Sequence, residues 1–137
     1  MAVLIPRPVY PILSAIRDQL AGIAGVNTCK IGLETGLSPD DYPIIRVVPV
    51  KLTGKGTAQQ IVFTVYYGDA ITESDGGLEA VYESLMALGE AIRLVLAGLQ
   101  GVYSVNYIDT ITDEDRLAHY KIFASRFELL VGAAARA

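Results

Sequence analysis

A single apolar stripe constrains the fold of this chain more than any other sequence feature. Within 78–99, nonpolar residues recur three or four positions apart, which keeps side chains on one face of a helix. The members of the stripe are Leu78, Val81, Tyr82, Leu85, Leu88, Ile92, Val95, Leu96 and Leu99. Glu79, Glu83 and Glu90 fall mainly off the stripe. A helix with one apolar face must pack it against another element, so the rest of the chain has to supply a sheet or further helices.

A second helix is predicted near the N-terminus. Pro6, Pro8 and Pro11 make the first segment extended and then start a helix, because the first helical turn tolerates proline. The apolar positions that predict this helix are Val9, Ile12, Leu13, Ile16, Leu20 and Ile23. Gly22 and Gly25 are typical of a helix end. Its opposite face is polar, so we expect one side to pack on a sheet.

Five segments have the composition or the alternation typical of β-strands. They are 26–34, 44–50, 60–67, 102–110 and 119–131. Pro49 predicts an edge position or a bulge in the second strand. The connection 51–59 contains Gly54 and Gly56, which predicts an antiparallel hairpin with a long, flexible tip. In the last strand, Phe123 and Phe127 fall on the more apolar face.

These elements predict one α+β domain over 1–137, in the order α-β-β-β-α-β-β. The hairpins favour a mainly antiparallel sheet, with the two main helices packed on one face. Residues 1–7 are expected to form an extended arm, and 132–137 a mobile tail.

Composition narrows the classes of function. Hydrophobic residues make up 52% of the chain and charged residues 19%. That is too apolar for disorder, and little charge is left to cover a small domain, which favours a surface that faces another subunit. The net charge of -4 and the absence of any Lys/Arg run disfavour duplex nucleic acid as a partner. No apolar stretch could span a bilayer and no signal peptide is recognisable, so we expect a soluble, intracellular protein.

No motif predicts catalysis, a cofactor or a metal site. His119 is the only histidine, and Cys29 is the only cysteine, so neither a thiolate cage nor an intrachain disulfide can form. No serine has a nucleophile elbow, and His119 is interpreted as an ordinary surface residue. Residues 54–57 (GKGT) lack the Ser or Thr that follows lysine in a phosphate loop. We therefore expect a protein that is not an enzyme.

Four segments carry a resemblance to a known family. They are the proline-led helix start 8–13 (PVYPIL), the strand 42–49 (YPIIRVVP), the passage 60–69 (QIVFTVYYGD) leading to the second helix, and the final strand 120–129 (YKIFASRFEL). In size, order and texture, the chain resembles the tail terminator, or tail completion, proteins of long-tailed bacteriophages.

The resemblance implies a hexameric ring that caps the finished tail tube and provides the head–tail joining surface. The expected partners are other copies of the chain, the tail tube protein and a neck or head-completion protein, with no membrane and no sequence-specific nucleic acid. The expected location is the tail–neck region of the virion, after synthesis in the bacterial cytoplasm. The family has no catalytic residues, and no cofactor is implied.

On this resemblance, six residues are expected to project from the ring and bind the tube or the neck. They are Lys51, Lys55, Asp113, Glu114, Asp115 and Arg116. Two alternatives stay open. One is another tail or neck component, such as a connector or a tube subunit, which would polymerise into open tubes instead of stopping at a closed ring. The other is a small-molecule-binding domain or an enzyme with a pocket between sheet and helix.

Overall fold

A computed structural model gives the fold, and it describes residues 3–5, 8–34, 36–71, 77–112, 120–132 and 134–136. Only the backbone is described at 3–5, 55 and 134–136. The helices are α1, Tyr10–Ala21, and α2, Gly77–Ala97. The strands are β1, Val3–Ile5; β2, Thr28–Ile31; β3, Ile44–Lys55; β4, Ala58–Ala70; β5, Ser104–Ile111; β6, Tyr120–Gly132; and β7, Ala134–Arg136. A short 3-10 turn lies at Pro39–Asp41.

Five strands form one sheet in the order β2-β3-β4-β6-β5. The pairs β3–β4, β4–β6 and β5–β6 are antiparallel, whereas β2 and β3 are parallel. The predicted α+β class, the element order and the mainly antiparallel sheet are therefore confirmed. β2 is shorter than the strand predicted at 26–34, because Gly32 adopts a φ of 91° and turns the chain after Ile31.

Both helices pack on one face of the sheet and enclose the core. The buried positions of α1 and α2 repeat at three- and four-residue spacing, as the apolar stripes predict. Alternation along β6 also holds, since Phe123, Phe127, Leu129 and Val131 all join this core. Phe63 of β4 stacks on Phe127 with ring centroids 5.5 Å apart. We call this the helix face and the opposite side of the sheet the outer face.

The loop between β2 and β3 covers one end of the outer face. Arg46 holds it there, with a fully buried side chain that donates to Glu34 Oε1 at 2.8 Å, to the Thr28 carbonyl at 3.1 Å and to Thr28 Oγ1 at 3.0 Å. Beneath the loop, Tyr42 stacks on Tyr120 with centroids 4.5 Å apart. A second, smaller apolar cluster therefore closes this end of the sheet.

The β3–β4 hairpin differs from its prediction. The long, flexible tip predicted for 51–59 is wrong, because β3 continues to Lys55 and β4 begins at Ala58. Only Gly56 and Thr57 form the turn, and Gly56 has a φ of 63° at its first central position, as a type II′ turn requires. The predicted irregularity at Pro49 is confirmed, since the register shifts between Pro49 and Lys51.

The two ends of the chain meet in a separate ladder. Val3–Ile5 pairs antiparallel with Ala134–Arg136, and this two-stranded sheet has no strand in common with the main one. The single-domain boundaries, the arm at 1–7 and the mobility of 132–137 stay predictions.

Candidate assembly surfaces

The C-terminal two-thirds of β3 forms one open edge of the sheet. β3 is 12 residues long and β2 pairs only with 44–47, which leaves the eight residues 48–55 without a strand on that side among the strands described. We call residues 48–55 the β3 edge. Its side chains include Val50 and Leu52, which are 60% and 52% exposed. An open edge presents unpaired N–H and C=O groups that can template another strand.

The other side of the sheet ends in a second open edge, formed by β5. This β5 edge, Ser104–Ile111, is also eight residues long and pairs only with β6 among the described strands. Tyr107, Ile108 and Ile111 are each more than two-fifths exposed. A register shift between Tyr107 and Asp109 marks a bulge at Ile108. The β5 edge is therefore an apolar and accessible strand.

A charged pair on the outer face links β5 to β6. Arg126 of β6 donates from Nε and Nη2 to the two carboxylate oxygens of Asp109, at 2.8 and 2.6 Å. The hydrogen bonds from Arg126 lower the pKa of Asp109 and raise that of Arg126. Both side chains are exposed, so the pair should contribute little to the free energy of unfolding. Its main effect is to hold β5 in position beside β6.

The predicted partner-binding residues fall in two groups. Lys51 is exposed on β3 and lies opposite Val62, on the outer face, while Lys55 ends the same strand. The structure therefore brings these two positions together at the hairpin end of the sheet. Asp113, Glu114, Asp115 and Arg116 lie outside the described residues, as does His119. Whether any of the six contacts a tube or a neck stays a prediction.

A chain of hydroxyl groups lines a groove between α2 and β5. Tyr67 bonds Ser125 at 2.9 Å, Ser125 bonds Thr110 at 2.7 Å, and Thr110 bonds Tyr107. Burial is the main cause that raises the pKa of Tyr67. The groove has a volume of about 190 Å³, and Arg93 covers one side with its guanidinium 4.8 Å from the Tyr107 ring centroid. Because these hydroxyl groups hydrogen-bond to one another, they link β5 to the core and do not need a ligand as a hydrogen-bond partner.

Cys29 is not placed for chemistry. Its thiol donates to the Arg17 carbonyl at 3.4 Å, and burial raises its pKa to about 11. Within the described residues, no group of three or more His, Cys, Asp or Glu side chains could hold a metal ion. None of the described helices is both long enough and apolar enough to cross a membrane.

The sequence predicted an edge position or a bulge at Pro49, but it did not predict the length of the β3 edge, and it did not predict the β5 edge. The sequence predicts a strand at 44–50 followed by a loop, whereas β3 continues to Lys55, and this extra length creates most of the β3 edge. Thr53 pairs with Gln60 in the extended part of the hairpin, although Gly54 and Gly56 flank it closely. One signal was present, since Val50 and Leu52 continue the alternation through Pro49.

Comparison with protein-family models and with curated proteins found no match to this chain.

Proposed function

We propose that this protein is a structural virion protein that forms a closed ring, caps the completed tail tube and provides the surface for head–tail joining. The observation that carries the proposal is the β3–β4 hairpin, which continues beyond β2 and exposes Val50 and Leu52. Exposed apolar side chains on an unpaired strand are a liability for a solitary domain. Contact with another subunit would remove them from water, at about 25 cal/mol for each Å² buried.

The architecture also suits a mechanism without catalysis. A ring that ends a tube needs one face that matches the last tube ring and another that offers a different surface to the neck. Lys51 and Lys55 are both positions of β3 near the hairpin turn, and each lysine adds one positive charge to this segment of the sequence. Repetition around a ring multiplies that charge, so the proposal assigns the hairpin end to contact with tube or neck proteins.

The experiment begins with the mass of the purified protein by light scattering across a concentration series, followed by negative-stain images. Closed rings of about six copies are expected, because head-to-tail contacts close into rings when the rotation permits. Open tubes would favour the tube-subunit alternative instead. A monomer that retains a small molecule through purification would favour the ligand-binding alternative.

Tail completion is tested with a charge reversal at the hairpin end. Lys51→Glu with Lys55→Glu is expected to impair completion in a phage that lacks its own copy of the protein, while the unfolding midpoint stays unchanged. The matched control is Glu79→Lys with Glu83→Lys, which reverses two exposed charges on α2 and should complete tails normally. Normal tail completion by the variant with Lys51→Glu and Lys55→Glu would show that the hairpin end does not contact the tube or the neck.

A further inference from the structure

The two open edges fit one another, and we infer that the β5 edge of one copy pairs antiparallel with the β3 edge of the next. This inference rests on the self-assembly in the proposed function and adds which surfaces meet and in what register. The occupant is a second copy of this chain, because, among the described strands, two eight-residue segments on opposite sides of one sheet each pair with a strand on one side alone. Pairing them satisfies both rows of backbone groups at once.

The strand directions favour this pairing. Three successive antiparallel pairs separate β3 from β5, so the two edges run in opposite directions within one copy. A neighbour placed in the same orientation beside β5 therefore presents its β3 edge antiparallel. The interface is head-to-tail, because different surfaces meet, and such contacts generate a ring when they close.

The β2 strand sets the register. When the paired residues are followed across the sheet from β5 through β6 and β4 to β3, Ser104 lies in the same row as Thr53. Ile111 lies in the same row as Arg46. If the neighbouring copy were added without a shift along the strand direction, Ile111 would lie opposite Arg46 of that copy. The neighbour's own β2 already pairs with β3 at this position. A stagger of two residues toward the hairpin tip avoids this and brings Ile111 beside Val48 of the neighbour. All eight residues of each edge are then paired.

The side chains on the two edges are compatible with burial against each other. Val50 and Leu52 of one copy and Tyr107, Ile108 and Ile111 of the other are exposed and apolar. In the staggered register Leu52 lies opposite Tyr107 and Val48 opposite Ile111, while Val50 and Ile108 lie opposite Asp109 and Lys51. Aromatic and β-branched side chains on adjacent strands stabilise each other across a sheet. The staggered register also places Asn106 opposite Thr53, and both of these residues lie on the outer face by alternation from their partners Glu128 and Gln60.

The first test places a charge on each edge in turn. Leu52→Lys and Ile108→Lys are each expected to raise the dissociation constant between copies at least about tenfold and to leave monomers at concentrations where the unaltered protein forms rings. The matched control is Leu94→Lys, on an α2 side chain that is 76% exposed and belongs to neither edge. Rings should persist in this control.

Mixing the two variants provides the sharper result. Each variant keeps one intact edge, so an equimolar mixture should form a dimer and nothing larger. The dimer also proves that both variants are folded. Rings formed by either variant alone, or a mixture that stays monomeric, would overturn the pairing.

The register is tested by disulfide formation between two chains in a Cys29→Ser background. Asn106→Cys in one chain should cross-link with Thr53→Cys in the other, because directly opposed residues bring their Cβ atoms within about 5.5 Å. Preferential cross-linking of Asn106→Cys with Lys51→Cys would indicate the unshifted register and refute the stagger.

The outcomes separate this inference from the proposed function. Rings that depend on both edges but do not complete tails would refute the tail function and leave the edge pairing intact. Normal tail completion by Leu52→Lys and Ile108→Lys would refute the edge pairing and leave the tail function standing.

Discussion

Gly89 provides a direct test of the packing between α2 and the sheet. It lies inside α2, and a Cβ added there would be 2.5 Å from the Tyr67 hydroxyl and 3.1 Å from Tyr67 Cζ. The ring has little room to retreat, since Tyr67 is 2% exposed, bonded to Ser125 and in edge contact with Phe123 at 5.8 Å. We therefore expect Gly89→Ala to destabilise the protein.

The sign of the change depends on two opposed effects. Replacing glycine by alanine inside a helix normally stabilises a protein by about 0.5–1 kcal/mol. Overpacking a core typically costs about 1–3 kcal/mol. Displacing the tyrosine also strains the bond from its hydroxyl to Ser125, worth about 0.5–1.5 kcal/mol. The steric effect is the larger, so the free energy of unfolding should fall by about 1–3 kcal/mol.

Urea denaturation measures this change, with an unaltered slope showing that the unfolding reaction is the same. The matched control is Gly98→Ala, where the nearest neighbour of an added Cβ is the Val95 carbonyl at an ordinary 3.7 Å. The control should lie within about 0.5 kcal/mol of the unaltered protein or be more stable.

A double variant identifies the cause. Tyr67→Phe removes the hydroxyl that collides with the new methyl group. Tyr67→Phe combined with Gly89→Ala should therefore be less destabilised than the sum of the single variants, by about 1 kcal/mol. If Gly89→Ala stabilises the protein, or the two changes are additive, then the hydroxyl is not pressed against the helix and the reasoning fails.

Two further predictions concern the half-buried thiol of Cys29 and the buried guanidinium of Arg46. With a pKa of about 11 in place of an ordinary 9.0, only about one in a thousand Cys29 thiols is ionised at pH 8, so alkylation by iodoacetamide should be about 100-fold slower than in the urea-unfolded chain. Because the folded pKa is raised, the contribution of Cys29 to stability should be complete below about pH 9 and decline as the pH rises toward 11; equal alkylation rates would contradict both points. Arg46→Met should lower the free energy of unfolding by about 2–4 kcal/mol in chemical denaturation. It removes the hydrogen bonds that Arg46 donates to Glu34 in the β2–β3 loop and to Thr28 in β2. Lys30→Met is the control, since its exposed pair with Glu34 at 3.7 Å should contribute less than about 1 kcal/mol, and similar losses for both variants would contradict the role of Arg46.

Sequence patterns alone determined the helices, most strands and the fold class. The stripe from Leu78 to Leu99 predicted α2, and the alternation around Phe123 predicted which face of β6 would be buried. Both are local signals, since the side chains that share a helix or strand face are close in sequence. The bulge at Pro49 was likewise predictable, because proline lacks the N–H that a regular ladder needs.

The tertiary structure decided how the strands meet. The parallel pairing of β2 with β3, the placement of β5 at an edge and the limit that β2 sets at Val47 all depend on contacts between segments distant in sequence. The same holds for Arg46, whose position in a strand indicated nothing about its burial beneath a loop. Periodicity records which face of a strand is apolar, but it does not record which strand lies alongside. The extent of the β3 edge and the position of the β5 edge therefore became visible only once the sheet order was known, because an edge is a property of the assembled sheet.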